Sequence, residues 1–307
     1  MAGLSPRADQ VGGSSDCLDL VGLSPLMART SGGPEIAIGL IDGPVALDHP
    51  DLAAENICEV SGGLPAACAD ASDAACAHGT FVAGILLARR GSPAPAICPG
   101  CSLLVRPIFA EAPINGEEMP TATAEELSRA IFDVIDAGAR VINLSAALQG
   151  ASPSGERGLR DALDFALRRG VVVVAAAGNQ GSVGSSVITR HPWVIPVVAY
   201  DLRGRPMDLS NLGASIGRSG LGAPGEAITS LGTTTEPMTM GGTSAATPFV
   251  TGAVALIWSE FPAATAAEVR SAVIHAAAPR RTSIVPPLLN AWAGYRAMSN
   301  GSRLIQT

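Results

Sequence analysis

The sequence predicts a single doubly wound α/β domain, with a mostly parallel sheet and helices on both faces. Three observations lead there. Short, continuous apolar runs recur along the 307 residues. Segments with helical periodicity separate them. No repeat, low-complexity tract or linker divides the chain. Continuous apolar runs suit strands buried on both faces of a parallel sheet, and strand–helix alternation at this spacing is the pattern of a doubly wound sheet.

Composition agrees with a large core. Hydrophobic residues make up 47% and charged residues 15%, so the chain reads as globular. Net charge is −7, and every cationic residue is Arg. The basic residues are scattered, with only short pairs such as Arg89-Arg90 and Arg280-Arg281. A phosphate-tracking surface needs a clustered basic stripe, so no nucleic-acid partner is expected. No run of 18 apolar residues exists, so no membrane span is expected. The N-terminal residues lack a positive segment followed by an apolar one, and a cytoplasmic location is expected. The sequence leaves the oligomeric state open.

The elements follow in order. Residues 1–17 are rich in Gly, Ser and Asp and read as a loose arm. Residues 18–300 form the domain, and 301–307 a tail. The first apolar run, 36–41, ends at Asp42. Further runs lie at 103–105, 141–144, 171–176 and 194–198. Helical patterns occupy 78–90, 124–137, 156–169, 244–260 and 265–277. Gly138 and Gly170 stand where helix stops belong. Thr265 and Glu268 have the spacing of a capping box.

Six cysteines stand at positions 17, 58, 68, 76, 98 and 101. Cys98 and Cys101 have a redox or zinc-ligand spacing. Free thiols, one local disulfide and a four-thiolate metal site are all compatible with the pattern.

Three segments carry candidate chemistry. In Leu40-Ile41-Asp42-Gly43-Pro44 an acid ends a buried strand, where α/β sheets build their sites. In His78-Gly79-Thr80-Phe81-Val82-Ala83-Gly84 a His opens an apolar helix whose small residues allow close packing. In Gly241-Gly242-Thr243-Ser244-Ala245-Ala246-Thr247-Pro248 a Ser opens a helix, with Pro248 expected in its first turn. A Ser hydroxyl becomes a nucleophile when a neutral imidazole takes its proton. A buried carboxylate then holds the imidazole tautomer. A fourth group, Asn179, follows a buried strand in Gly178-Asn179-Gln180-Gly181, where its amide can meet a developing oxyanion. Each residue alone has an ordinary structural use; the four together point to acyl transfer. His49, His191 and His275 read as structural.

The order Asp, His, Ser with these flanking residues resembles the subtilisin-like serine proteases, and the likeness runs from about Leu20 to Ala297. It implies that Asp42 orients, His78 acts as base and then acid, and Ser244 attacks. It implies an oxyanion hole of Asn179 and the Ser244 N–H. Substrate binding would fall to Ser145, Ala146, Ala147, Gly178 and Gln180. Within the family, Asp42-Gly43-Pro44-Val45, Pro99-Gly100-Cys101 and Arg106-Pro107-Ile108-Phe109 resemble the proteases that mature cyanobactins, ribosomally made peptides cut from a precursor. Only 35 residues separate Asp42 from His78, which favours plain leader cleavage over ring closure. A general degradative protease and an inert peptide-binding module are the rival readings. The chain shows neither a secretory signal nor a long segment before residue 36, which favours the dedicated role over the degradative one.

Departures from the family pattern carry expectations. Ala147 stands where Gly is usual and Gln180 where Glu is frequent, which predicts a small or neutral residue on the acyl side of the cut bond. Ala245 replaces a common Met and removes an oxidation liability. Asp51 matches a family calcium ligand, but the Asn-rich loop that supplies others is replaced by Arg89-Arg90-Gly91-Ser92-Pro93. One carboxylate does not make a calcium site, so no cofactor is expected.

Overall fold

The computed structural model describes residues 14–52, 54–109, 122–145, 153–276 and 283–304. Its strands, in chain order, are β1 (Ala37–Asp42), β2 (Ile57–Glu59), β3 (Ser102–Pro107), β4 (Val141–Leu144) and β5 (Val172–Ala176). They continue with β6 (Val194–Tyr200), β7 (Leu221–Pro224), β8 (Ile228–Leu231) and β9 (Pro237–Met240). The helices are α1 (Ser14–Leu20), α2 (Ser24–Met27), α3 (Ala74–Leu87), α4 (Ala124–Asp136) and α5 (Pro153–Arg169). After them come α6 (Val187–Arg190), α7 (Ala214–Ser219), α8 (Thr243–Glu260), α9 (Ala266–His275) and α10 (Ala291–Leu304).

Seven strands form one sheet in the order β2-β3-β1-β4-β5-β6-β7, with every pairing parallel. β8 and β9 form a separate antiparallel pair. The expected doubly wound α/β architecture is therefore what the chain adopts. β1 pairs with β3 on one side and β4 on the other, so the strand order reverses at β1. A reversal opens a crevice at the carboxyl ends of the strands, and Asp42 sits there.

Alternation along each strand feeds two cores. Ile38 and Leu40 of β1, with Val172 and Val174 of β5, join the core that also holds α3 and α8. Ile41, Val173 and Ala175 face the opposite core, which holds α4 and α5. Helices α3 and α8 are apolar all round because they run through the interior, and Phe81, Phe249 and Trp258 are buried there. Each large apolar side chain so buried contributes roughly 1.5–3 kcal/mol. Arg106 on β3 is also fully buried, and its fork reaches Asp133 and Glu126 of α4, each at 2.9 Å.

Several expectations shift. Helix α3 begins at Ala74, a turn before His78, because Asp73 accepts hydrogen bonds from the N–H groups of Ala75 and Cys76. His78 therefore lies inside the helix rather than at its start. Helix α8 begins at Thr243, which places Pro248 beyond the first turn. Helix α1 crosses the expected boundary at residue 17 and buries Cys17. Helix α10 crosses the boundary at residue 300 and packs on α9 and α2 through its Trp292 and Tyr295 side. The capping box of Thr265 and Glu268 is present.

The cysteine alternatives narrow. Cys68 and Cys76 form a disulfide, while Cys17, Cys58, Cys98 and Cys101 are free. The Cys98 thiol hydrogen-bonds Cys101, which holds the Cys101 thiol below its ordinary range and lifts its own. The bridge spans eight positions, and closing so short a loop stabilises by about 2–3 kcal/mol. Reduction of the protein is expected to lower the denaturation midpoint accordingly; an unchanged midpoint, with thiol counting to verify reduction, contradicts this.

Candidate active site

Asp42 is fully buried at the end of β1. Its Oδ1 accepts from His78 Nδ1 at 2.6 Å and from the Gly43 N–H at 2.7 Å. Oδ2 has no hydrogen-bond partner among the described residues. Pro44 has no N–H and Gly43 no side chain, so neither neighbour can donate to Oδ2 through those groups. Close packing explains both small residues. A Cβ on Gly43 would lie 1.9 Å from the Ala75 carbonyl oxygen, and one on Gly79 would lie 2.3 Å from that of Pro44. Bare backbone on each side lets α3 rest on the segment after β1, which brings His78 to Asp42.

The disulfide braces the same place. Val45 donates its N–H to the Ala66 carbonyl, and Cys68 donates to that of Val45. Cys68 is thus held to the segment after Asp42 by hydrogen bonds, and to α3 through Cys76, two residues before His78.

His78 is buried, which disfavours its cation. The charge of Asp42 and its hydrogen bond act in the opposite sense and prevail, so the His78 pKa lies above its ordinary 6.5. With Nδ1–H committed to Asp42, a neutral His78 presents Nε2 as an acceptor.

Ser244 is the second residue of α8, where the N–H has no intrahelical acceptor. Helix α3 packs against α8. Among the described residues no hydrogen bond joins Ser244 to His78; in ligand-free sites such contacts are often long and tighten with substrate.

Asn179 is tied to the start of the same helix. Its Oδ1 accepts from the Thr243 N–H and the Thr243 hydroxyl, both at 2.9 Å. Two donors on one atom fix the amide orientation, so Nδ2 is the group left to donate. Gly242 must be glycine here: its φ is 105°, and a Cβ would lie 3.0 Å from Asn179 Nδ2. Gly178 donates its N–H to Thr243 Oγ1 at 3.2 Å.

The loop carrying Asn179 is held from outside by Asn211. Asn211 Oδ1 accepts from the N–H groups of Gln180 and Ser182 and from the Ser182 hydroxyl. Its Nδ2 donates to the Ala177 carbonyl and, at 2.6 Å, to Gln180 Oε1. The Gln180 side chain is thereby engaged at its oxygen. Ser145 points its hydroxyl at the Ser244 carbonyl, 3.3 Å away. Ala146 and Ala147 lie outside the described residues.

Sequence reasoning missed Thr243 and Asn211. Thr243 adjoins Ser244, and adjacency to a nucleophile could have flagged it. Asn211 has no sequence signal, because its loop partners lie about 30 positions away.

Two of the remaining histidines are held in structural hydrogen bonds, while His275 ends α9 exposed. His49 bonds the Thr234 carbonyl and accepts from the Asp51 N–H, while His191 meets Asp164 and accepts from the Trp193 N–H. Asp51, which matches a family calcium ligand, lies beside Arg89 in the fold. Its carbonyl accepts from the Arg89 N–H, and the guanidinium of Arg89 sits on the Leu52 carbonyl. Among the described residues no group of three or more His, Cys, Asp or Glu could hold a metal. Among them, too, no helix is long and apolar enough to cross a membrane.

Comparison with known proteins identifies the family. The Subtilase family model matches residues 33–295. Subtilisin DY of Bacillus licheniformis is 32% identical over 260 residues, covering 83% of this chain and 88% of that protein. Subtilisin J of Geobacillus stearothermophilus is 32% identical over 246 residues, and the match spans only 59% of its length. Among solved structures, the prenylagaramide maturation protease PagA superposes with a TM-score of 0.76 at 29% identity, covering 90% of this chain and 98% of that one. The patellamide maturation protease PatA superposes with a TM-score of 0.71 at 30% identity, covering 88% and 98%. The chain belongs to the subtilase family and is a subtilisin-like serine endopeptidase.

Proposed function

We propose that this endopeptidase matures a ribosomally made precursor peptide by cutting off its leader, with Asp42, His78 and Ser244 as its triad. The observation that carries the chemistry is the buried Asp42–His78 bond of 2.6 Å on a helix packed against the one that Ser244 opens. The precursor role draws on likeness to PagA and PatA, both maturation proteases by name, over nearly their full length.

In the mechanism, Ser244 Oγ attacks the carbonyl carbon while its proton passes to His78 Nε2. Asp42 keeps Nδ1 protonated and balances the imidazolium. Asn179 Nδ2 and the Ser244 N–H receive the oxyanion. Collapse of that intermediate breaks the C–N bond, and His78 returns the proton to the departing amine. Water then hydrolyses the acyl-enzyme by the same route. Asn179→Ala is expected to lower kcat roughly 10²–10³-fold, the loss seen for the equivalent donor of subtilisin, with KM nearly unchanged. A parallel rise in KM would make Asn179 a binding residue instead.

We also infer a small or neutral residue on the acyl side of the cut bond, since the resemblance assigns Gln180 to substrate binding and its amide carries no charge. Efficient cutting after Arg or Lys in a peptide library would contradict this. The Cys68–Cys76 disulfide counts against the expected cytoplasmic location, because cytosolic thiols are kept reduced.

Mass-spectrometric mapping of library cuts, with Ser244→Ala as control, tests the proposal. Cuts confined to a narrow motif and absent from the variant support maturation. Broad Ser244-dependent cutting supports the degradative rival.

A further inference from the structure

Asn143 interrupts the apolar run of β4 with an amide that is fully buried. Such a group is costly in a core unless it is hydrogen-bonded. Its partners form an oriented chain. Thr251, on α8 and fully buried, donates its hydroxyl to Asn143 Oδ1 at 2.8 Å. The same hydroxyl lies farther, 3.3 Å, from the Thr247 carbonyl. Asn143 Nδ2 donates to Ser145 Oγ at 2.8 Å. Ser145 donates to the Ser244 carbonyl at 3.3 Å.

That carbonyl is a special one. In an α-helix the carbonyl of residue 244 would accept from the N–H of residue 248. Residue 248 is Pro, which has none. The chain thus places a proline where it frees the backbone oxygen of the candidate nucleophile, and places a hydroxyl on that oxygen. A hydroxyl has a single proton. Asn143 occupies the acceptor side of Ser145, so that proton is directed to Ser244. Thr251 in turn fixes which end of the Asn143 amide faces Ser145.

We infer that Thr251, Asn143 and Ser145 form a buried positioning relay that clamps the backbone of Ser244 where Pro248 leaves its carbonyl without the usual helical donor. Fixing the carbonyl fixes ψ of Ser244, and so the angle at which its side chain leaves the helix. The relay also ties α8 to β4, which pairs directly with β1, the strand that carries Asp42. Nucleophile and orienting acid are thereby referenced to adjacent strands. None of the three relay residues needs to touch substrate for this role; Ser145 acts through Ser244, Asn143 through Ser145, and Thr251 through Asn143. The inference rests on Ser244 being the nucleophile.

The test is steady-state kinetics on a cleaved peptide for Thr251→Val, Thr251→Ser, Ser145→Ala and the double variant Ser145→Ala/Thr251→Val. Thr251→Val keeps the shape and removes the donor. It is expected to lower kcat about tenfold, a coupling of the size found within one hydrogen-bond network, with KM within about twofold of wild type. Thr251→Ser should restore kcat. The double variant should be no slower than the slower single one, because both break one chain. Unchanged kcat in Thr251→Val, with only a lower melting temperature, would overturn the relay, as would fully additive losses. If Thr251→Val does not fold, a Ser145→Ala variant with wild-type kcat overturns it, and one with lowered kcat and unchanged KM supports it. Ser244→Ala run alongside separates the two levels. Full activity there refutes the nucleophile assignment, whereas an inactive Ser244→Ala beside an unaffected Thr251→Val refutes only the relay.

Discussion

Replacing Ser244 by Ala is expected to reduce turnover roughly 10⁶-fold, the loss found when the nucleophile of subtilisin is removed. The reason is local. Ser244 lies in the first turn of a helix whose leading N–H groups have no internal acceptors, and that helix packs against α3, which carries His78. Without Oγ, these groups and Asn179 still polarise a bound carbonyl. They supply no covalent route, so a residual 10³–10⁴-fold acceleration over water is expected to remain. KM should change little, because Oγ contributes to the transition state rather than to holding peptide. Full retention of activity in a preparation free of contaminating protease would contradict the assignment.

Asp42→Asn should lower kcat by about 10⁴ near neutral pH, as happens when the acid of another Ser–His–Asp protease becomes an amide. An Asn side chain would turn its NH₂ toward His78. Nδ1 would then become the acceptor and Nε2 would carry the proton, the wrong tautomer for taking one from Ser244. A second readout accompanies the first. Burial pushes the His78 pKa down, and Asp42 pushes it up by more, so it lies above 6.5 in the wild type. The base works only when neutral, so wild-type activity should fall as pH drops through that raised value. In Asp42→Asn only burial remains, and the acid limb should move to lower pH. Stability follows linkage with the same sign. A His pKa raised on folding contributes stability that is complete below about 6.5 and is lost as pH rises through the folded value. An acid limb that stays in place in the variant would show that Asp42 does not set the His78 pKa.

Much of the fold was legible in the sequence because parallel strands buried on two faces must be continuously apolar. The runs behind β1, β3, β4, β5 and β6 say so directly. The three-residue edge strand β2, Ile57–Glu59, carries no such run, and the β8–β9 pair is built from short segments rich in Ser, Thr and Met. The start of α3 was misjudged by one turn because a helix start depends on its cap, and Asp73 was not recognised as one. At the site, Asp42, His78, Asn179 and Ser244 stood out because each lies in a distinctive local motif. Their supports did not. Thr251 and Asn143 are 108 positions apart, and small polar residues inside apolar segments declare a role only when folding brings them together. The disulfide was one of several open alternatives, since cysteine spacing does not fix connectivity.

The most direct test is labelling with a fluorophosphonate, followed by mass-spectrometric mapping of the adduct across pH. The account predicts one adduct, on Ser244, formed at a rate that falls on the acid side of a pKa above 6.5 and lost in His78→Ala. An adduct on another residue, or no adduct from a protein that still cuts peptides, would contradict it.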